Sequence, residues 1–139
     1  MDALDNLVKI GQLKKEPPDI DEFQGLVHSG KVRLHDASLQ QLSPESRFDL
    51  AYNAAHALAL AALRWHGYRS ENRYQVFQCL AHTLNLRPEQ WRVLDLAHRR
   101  RNLAEYEGHL DIDDGLLAGM IEVVAVLEEE IALLGLPCR

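Results

Sequence analysis

The sequence predicts an all-α protein, an up-and-down helical bundle of four to five main helices with a short N-terminal helical appendage. Three observations predict it. Apolar residues recur at helical spacing throughout, and no strand-type alternation lasts long enough to build a sheet. Prolines, glycines and capping residues fall at places that suit helix ends. The connections are short, so successive helices are expected to pack antiparallel. With 139 residues, 47% hydrophobic and 26% charged, the chain has the proportions of one folded domain that needs no metal or disulfide staple to form a core.

The leader, about Asp2 to Lys15, carries Leu4, Leu7, Val8 and Ile10 and meets Pro17-Pro18, which stops a helix. Residues 1–18 therefore read as appendage and linker, and 19–139 as the bundle. Asp19 or Asp21 can cap a helix running to about Leu42, with Ile20, Phe23, Val27 and Leu34 drifting along one face and Gly25 and Gly30 as weak points. Ser43-Pro44-Glu45 supplies an N-cap, a proline at the first helical position and an acid in the first turn. That helix should run to about His66 and stop at Gly67. Between Ala54 and Leu63 only His56 is polar, so this is expected to be the buried central helix.

Ser70 can cap a helix through about Leu84, with Tyr74, Phe77, Leu80 and Ala81 inward. Pro88 starts another that reaches at least Ala104, with Gly108 as its end. Asp111-Ile112-Asp113-Asp114 caps a last helix whose face is Leu116, Met120, Val123, Leu127, Ile131 and Leu134.

Charge excludes some functions. A net charge of -6 and a pI near 5.6 argue against coating nucleic acid by bulk charge. Cys79 and Cys138 form no close pair, which suggests a reducing compartment. The start, Met1-Asp2-Ala3-Leu4-Asp5, lacks the basic and apolar regions of a signal peptide, and no run of 18 apolar residues occurs. A cytoplasmic, non-membrane protein is expected. Locally the picture differs: five arginines stand between Arg87 and Arg101, whereas Asn102 to Cys138 holds nine acids and neither lysine nor arginine. Those arginines either pair with the acids of the last helix on a solvated face or form a small anion site.

Standard enzyme signatures are missing: there is no glycine-rich phosphate loop, no Gly-x-Ser-x-Gly elbow and no His-Glu-x-x-His. His28 and His35 could share a helical face, but no third ligand stands at useful spacing, so neither metal nor cofactor is expected. His56 reads as a hydrogen-bonded core histidine or as the lining of a polar pocket at a subunit interface. Neither cysteine has a neighbouring activator. The stretch His98-Arg99-Arg100-Arg101-Asn102-Leu103-Ala104-Glu105-Tyr106 is denser in functional groups. On a continuous helix His98, Asn102 and Tyr106 stack at i, i+4 and i+8, and Arg101 faces Glu105. Guanidinium, amide and phenol together suit a phosphate with its base or ribose.

Two segments resemble the HEPN family (higher eukaryotes and prokaryotes nucleotide-binding). Ser46-Arg47-Phe48-Asp49-Leu50-Ala51-Tyr52-Asn53-Ala54-Ala55-His56-Ala57-Leu58 is similar to the family's central helix, and Arg101-Asn102-Leu103-Ala104-Glu105-Tyr106 falls where its Arg-polar-x-x-x-His motif lies. The resemblance spans about Phe23 to Leu134. It implies a homodimer whose paired motif helices form a composite cleft, and a role in binding or cleaving RNA, in binding nucleotides, or as a toxin beside a nucleotidyltransferase partner. By that resemblance Arg101 contacts phosphate and Asn102 is its polar neighbour; Arg100, His98 and Tyr106 complete the expected binding set. Tyr106 departs from the motif histidine: a phenol with pKa near 10 is a poor general base at neutral pH. No catalytic residue is assigned. Two other readings stand beside it: a structural or partner-binding helical dimer, and a metal-independent ribonuclease that uses His98 or His109 as base.

Overall fold

The computed structural model describes residues 2–109 and 112–138; Asp111, one of the expected caps of the last helix, lies outside them together with residues 1, 110 and 139. The chain is predominantly helical. Its elements are α1 (Asp2–Lys9), β1 (Lys14–Lys15), α2 (Ile20–Ala37), α3 (Pro44–Trp65), β2 (Tyr68–Arg69), α4 (Arg73–Gln78), α5 (Leu80–Thr83), α6 (Pro88–Glu107) and α7 (Asp114–Leu134). No described helix is long and apolar enough to cross a membrane.

The local signals act as expected at most ends. The Asp19 carboxylate accepts from Glu22 N at the head of α2, the Ser43 hydroxyl from Ser46 N at the head of α3, and Asp113 from Leu116 N at the head of α7. Each satisfies an amide that the helix leaves without a partner. Gly108 ends α6 at φ 79, in the left-handed region where glycine has no Cβ to clash.

Helix α3 is the centre. Phe48, Ala51, Tyr52, Ala54, Ala55, Leu58, Ala61, Ala62 and Leu63 are all buried, and α2 and α7 pack against it and against each other. Small side chains let these axes approach. Gly30 on α2 is part of that approach: a Cβ there would meet Leu58 Cδ2 and Cγ at 2.5 Å. It is therefore a packing requirement and not the weak point that helix propensity suggests. From α7, Leu116, Met120, Val123, Leu127 and Ile131 enter the core, while Leu134 is half-buried.

Three expectations are corrected. Helix α2 stops at Ala37, short of Leu42, because the Ser38 hydroxyl turns back to Leu34 O at 3.0 Å and Arg47 Nε donates to Ala37 O at 2.7 Å. The helix expected from Ser70 to Leu84 starts at Asn72, whose side chain accepts from Gln75 N. It divides at Cys79 into α4 and α5, leaving Phe77 and Leu80 buried but Ala81 exposed. Finally, a small antiparallel pairing exists where no strand was expected, with Lys14 opposite Arg69 and Lys15 opposite Tyr68.

That pairing ties the leader into the bundle. Leu4 and Leu13 belong to the same core cluster as α3, and the Tyr68 hydroxyl donates to Asp5 Oδ1 at 2.5 Å. Burial and this bond push the Tyr68 phenol up to about 12. Beneath it lies Arg64, only 1% exposed. Its Nε donates to Glu22 Oε1 at 2.6 Å, and its other nitrogens donate to the carbonyls of Glu16, Pro17 and Tyr68 at 2.8, 2.7 and 3.3 Å. Arg69 spans the same two acids, at 2.7 Å from Glu16 and 2.5 Å from Glu22. Burial alone would raise Glu22; the hydrogen bonds from Arg69 and Arg64 outweigh it and hold the carboxyl below the usual range.

Candidate functional site

The site is built where α3, α4 and α6 meet. The Ala-rich inner face of α3 leaves Asp49, Tyr52, Asn53 and His56 on the side toward α4 and α6. Tyr52 is its anchor: the ring is buried and packs edge-on to Phe77 at 5.6 Å between centroids. Its hydroxyl lies 2.9 Å from His98 Nδ1 on α6. His98 Nε2 in turn lies 3.1 Å from Asn102 Nδ2. With the amide donating to Nε2, a neutral imidazole carries its proton on Nδ1 and donates it to Tyr52.

Two guanidinium groups flank the same ring. Arg101 lies 4.6 Å from the Tyr52 centroid and Arg73 of α4 lies 5.6 Å from it, both within cation–π range. Arg101 is also paired with Asp49, and Arg73 donates to Asn53 Oδ1 at 3.1 Å. Arg101 keeps 31% of its side chain exposed, and Asn102 is exposed. The cluster thus offers two cationic groups and an exposed amide around one neutralising carboxylate, over the buried Tyr52 ring.

The surroundings tune the titrating groups. Burial holds the His98 imidazole below its ordinary value, with Asp95 opposing and Arg73 reinforcing the shift. Burial and the nearby Arg73 charge push His56 down to about 4. The ring of His56 packs edge-on to Phe77 at 6.1 Å, so it is a half-buried neutral histidine. Burial raises the Tyr52 phenol, against the pull of Arg73 and Arg101. Asp95, one turn before His98, pairs with Arg99 at 2.9 Å and keeps Oδ1 buried without a hydrogen-bond partner among the described residues, an orphan acceptor of a kind that packed cores rarely retain.

Of the expected residues, the fold brings together His98, Arg101 and Asn102. Tyr106, one turn beyond Asn102 on α6 and about 12 Å along the axis from His98, is 89% exposed. Arg101 does not take Glu105 as its ion-pair partner; Asp49 on α3 reaches it instead. Arg100 lies on another side of α6, beside a cleft of about 380 Å³ that it shares with Leu103, Ala104, Glu107 and His109. His109 lies beyond Gly108, off the helix. Both nitrogens of His98 are engaged, so its geometry suits holding Tyr52 and Asn102 in place better than abstracting a proton.

Among the described residues, Arg87, Arg99 and Arg101 pair with Glu89, Asp95 and Asp49 respectively and not with acids of α7. Among the described residues no group of three or more His, Cys, Asp or Glu could hold a metal ion. Cys79 is buried and its thiol is pushed up by that burial, which makes it unreactive. Sequence reasoning missed Asp49 and Arg73 as site residues. The only signal for Arg73 was its place next to Tyr74 at the start of a helix.

No family model matches the chain, and neither a curated protein nor a solved structure matches it.

Proposed function

We propose that this chain is a HEPN-type dimeric helical protein that binds RNA or a nucleotide through the Arg101–Asn102 face of α6, with the phosphate held by Arg101. One observation carries the reading. Arg101 and Arg73 each lie within cation–π range of the Tyr52 ring, and Arg101 pairs with Asp49, so the two segments that resemble the family meet in one partly exposed, cation-rich patch. Guanidinium pairs of this kind suit phosphate oxygens. Asn102 adds an amide at the rim. The patch is open in one copy, and two copies facing each other through α6 would turn it into a cleft. Tyr106 extends the binding surface toward that partner, while Arg100 borders a separate cleft on another side of α6. A nucleotidyltransferase partner, as in a toxin–antitoxin pair, belongs to the same reading.

The test is binding of a labelled short single-stranded RNA by fluorescence anisotropy, with sedimentation for the dimer. Arg101→Ala should weaken binding at least tenfold, which is about 1.4 kcal/mol. Identical weak signals from both proteins would overturn the proposal.

A second reading has its own observation. The Asp49–Arg101 pair joins α3 to α6, as it would in a purely structural dimer where polar groups set orientation. Asp49→Asn separates the two: it should raise RNA affinity if Asp49 competes with phosphate, and leave it unchanged if the pair is only structural.

A further inference from the structure

A second cleft, of about 370 Å³, falls within the size range of small-molecule sites. None of Arg73, Arg101 or Asn102 lines it. Tyr74, Gln75 and Gln78 of α4 form one wall and Trp91 of α6 another, with Leu7 of α1 and His82 of α5 completing the lining. Tyr74 and Trp91 meet at an interplanar angle of 63° with centroids 5.8 Å apart. The two rings therefore form a corner and not a flat plate. Both are half-buried, as is Leu7, whereas Gln78 and His82 are exposed.

The lining selects a class of ligand. It holds no lysine, arginine, aspartate or glutamate, so a charged ligand would lose hydration there without meeting a counter-ion. It holds instead side chains that both donate and accept: a phenol, two carboxamides and an imidazole. Among the described residues the Tyr74 hydroxyl, the Trp91 indole N–H, the Gln78 carboxamide and the His82 ring take no hydrogen bond. Gln75 engages only its Nε2, at 3.8 Å from Cys79 Sγ. An apolar ligand would strip water from these groups and return nothing. A ligand that only accepts, such as the carbonyls of a polyproline segment, would leave the carboxamide and imidazole acceptors unmet. Hydroxyls donate and accept at once, and one carboxamide can span two neighbouring hydroxyls. The aromatic corner supplies the rest. Ring faces carry negative charge, which suits the polarised C–H bonds on one face of a puckered sugar ring.

We infer that the cleft between Tyr74, Trp91 and Gln78 binds a neutral hexopyranoside, whose C–H face rests in the aromatic corner while neighbouring hydroxyls bond to the Gln75 and Gln78 carboxamides. The site shares no residue with the RNA-binding face and does not depend on that reading. It also gives the leader a place at a ligand, because Leu7 belongs to the lining.

The test is saturation-transfer NMR on the unaltered protein with the methyl pyranosides of glucose, galactose and mannose at millimolar concentration. At least one should receive saturation on the protons of a single ring face. The same sugar should shift the Trp91 indole resonance, which its loss in Trp91→Phe identifies. The other tryptophan, Trp65, donates to Gly135 O at 3.2 Å, and its resonance should stay in place. Gln78 is exposed, so Gln78→Leu should fold normally, as circular dichroism checks. It should weaken that sugar about tenfold, the effect of losing one or two hydrogen bonds. Cyclohexanol, a ring of similar size with a single hydroxyl, should not compete. Silence from all three sugars would overturn the inference, as would a sugar signal that Gln78→Leu leaves unchanged or that cyclohexanol displaces. A Trp91 shift with triproline and with none of the sugars would also overturn it, and would assign the cleft to a peptide.

Discussion

Arginine is used twice in this fold, with opposite results. Arg64 sits at the end of α3 with four hydrogen bonds, to the Glu22 carboxylate and three backbone carbonyls, and with the Glu16 carboxylate 3.4 Å away. Arg101 sits across from the other end of α3 with one carboxylate and one aromatic face. The first guanidinium is saturated and shut away from water. The second retains exposed donors and a neutralising partner that an anion can replace. Saturation, and not the residue type, distinguishes an arginine that holds a fold together from one that can hold a ligand.

That contrast can be broken most sharply at Arg64. Arg64→Ala should lower stability by about 3–5 kcal/mol, because it strands buried carbonyls and the Glu22 carboxylate; urea unfolding reads it, and a loss below about 1 kcal/mol would mean the network is dispensable. Acid tests the other end. His56 titrates at about 4 in the fold and near 6.5 when unfolded, so the unfolded chain takes up the proton first. The stability it contributes is complete above pH 6.5 and is lost as the pH falls toward 4. For this half-buried group the loss should be on the order of 1–2 kcal/mol. Burial shifts His66 and His98 in the same direction, so His56→Gln should flatten the melting-temperature profile between pH 7 and 4 only in part. Tyr52→Phe removes the bond to His98 and should cost about 1 kcal/mol, with a change in the His98 imidazole resonances by NMR. The smallest stability effect is expected at Arg101: Arg101→Ala should stay within about 1 kcal/mol of the native protein, as exposed pairs do, while RNA binding drops. A variant that unfolds instead would place Arg101 in the same class as Arg64.

The fold was legible where the signal is local. Ser43-Pro44, Gly67, Pro88, Gly108 and Asp113 are each read within a turn of the structure they make. Arg64 was not legible, because an arginine in the last turn of an alanine-rich helix reads as solvent-exposed, and its partners other than Tyr68 lie 42 to 48 positions away. The same holds for the pairing of residues 14–15 with 68–69, too short to alternate. At the site, His98 and Asn102 followed from helical spacing, whereas Asp49, Tyr52 and Arg73 joined them only through packing of three helices. Tyr106 keeps the same spacing but is exposed, because spacing along a helix does not tell where its packed part ends.

The clasp formed by Arg64, Arg69 and the residues around Glu16 also sets an order of events during synthesis. Residues 14–17 leave the ribosome some 48 positions before Arg64 does. At ordinary elongation speeds that is roughly 2–10 s. Through that interval Glu16 and Glu22 lack the counter-charges of Arg64 and Arg69. The segment around Glu16, made before α3 ends, can therefore close its clasp only after Arg64 and Arg69 have followed.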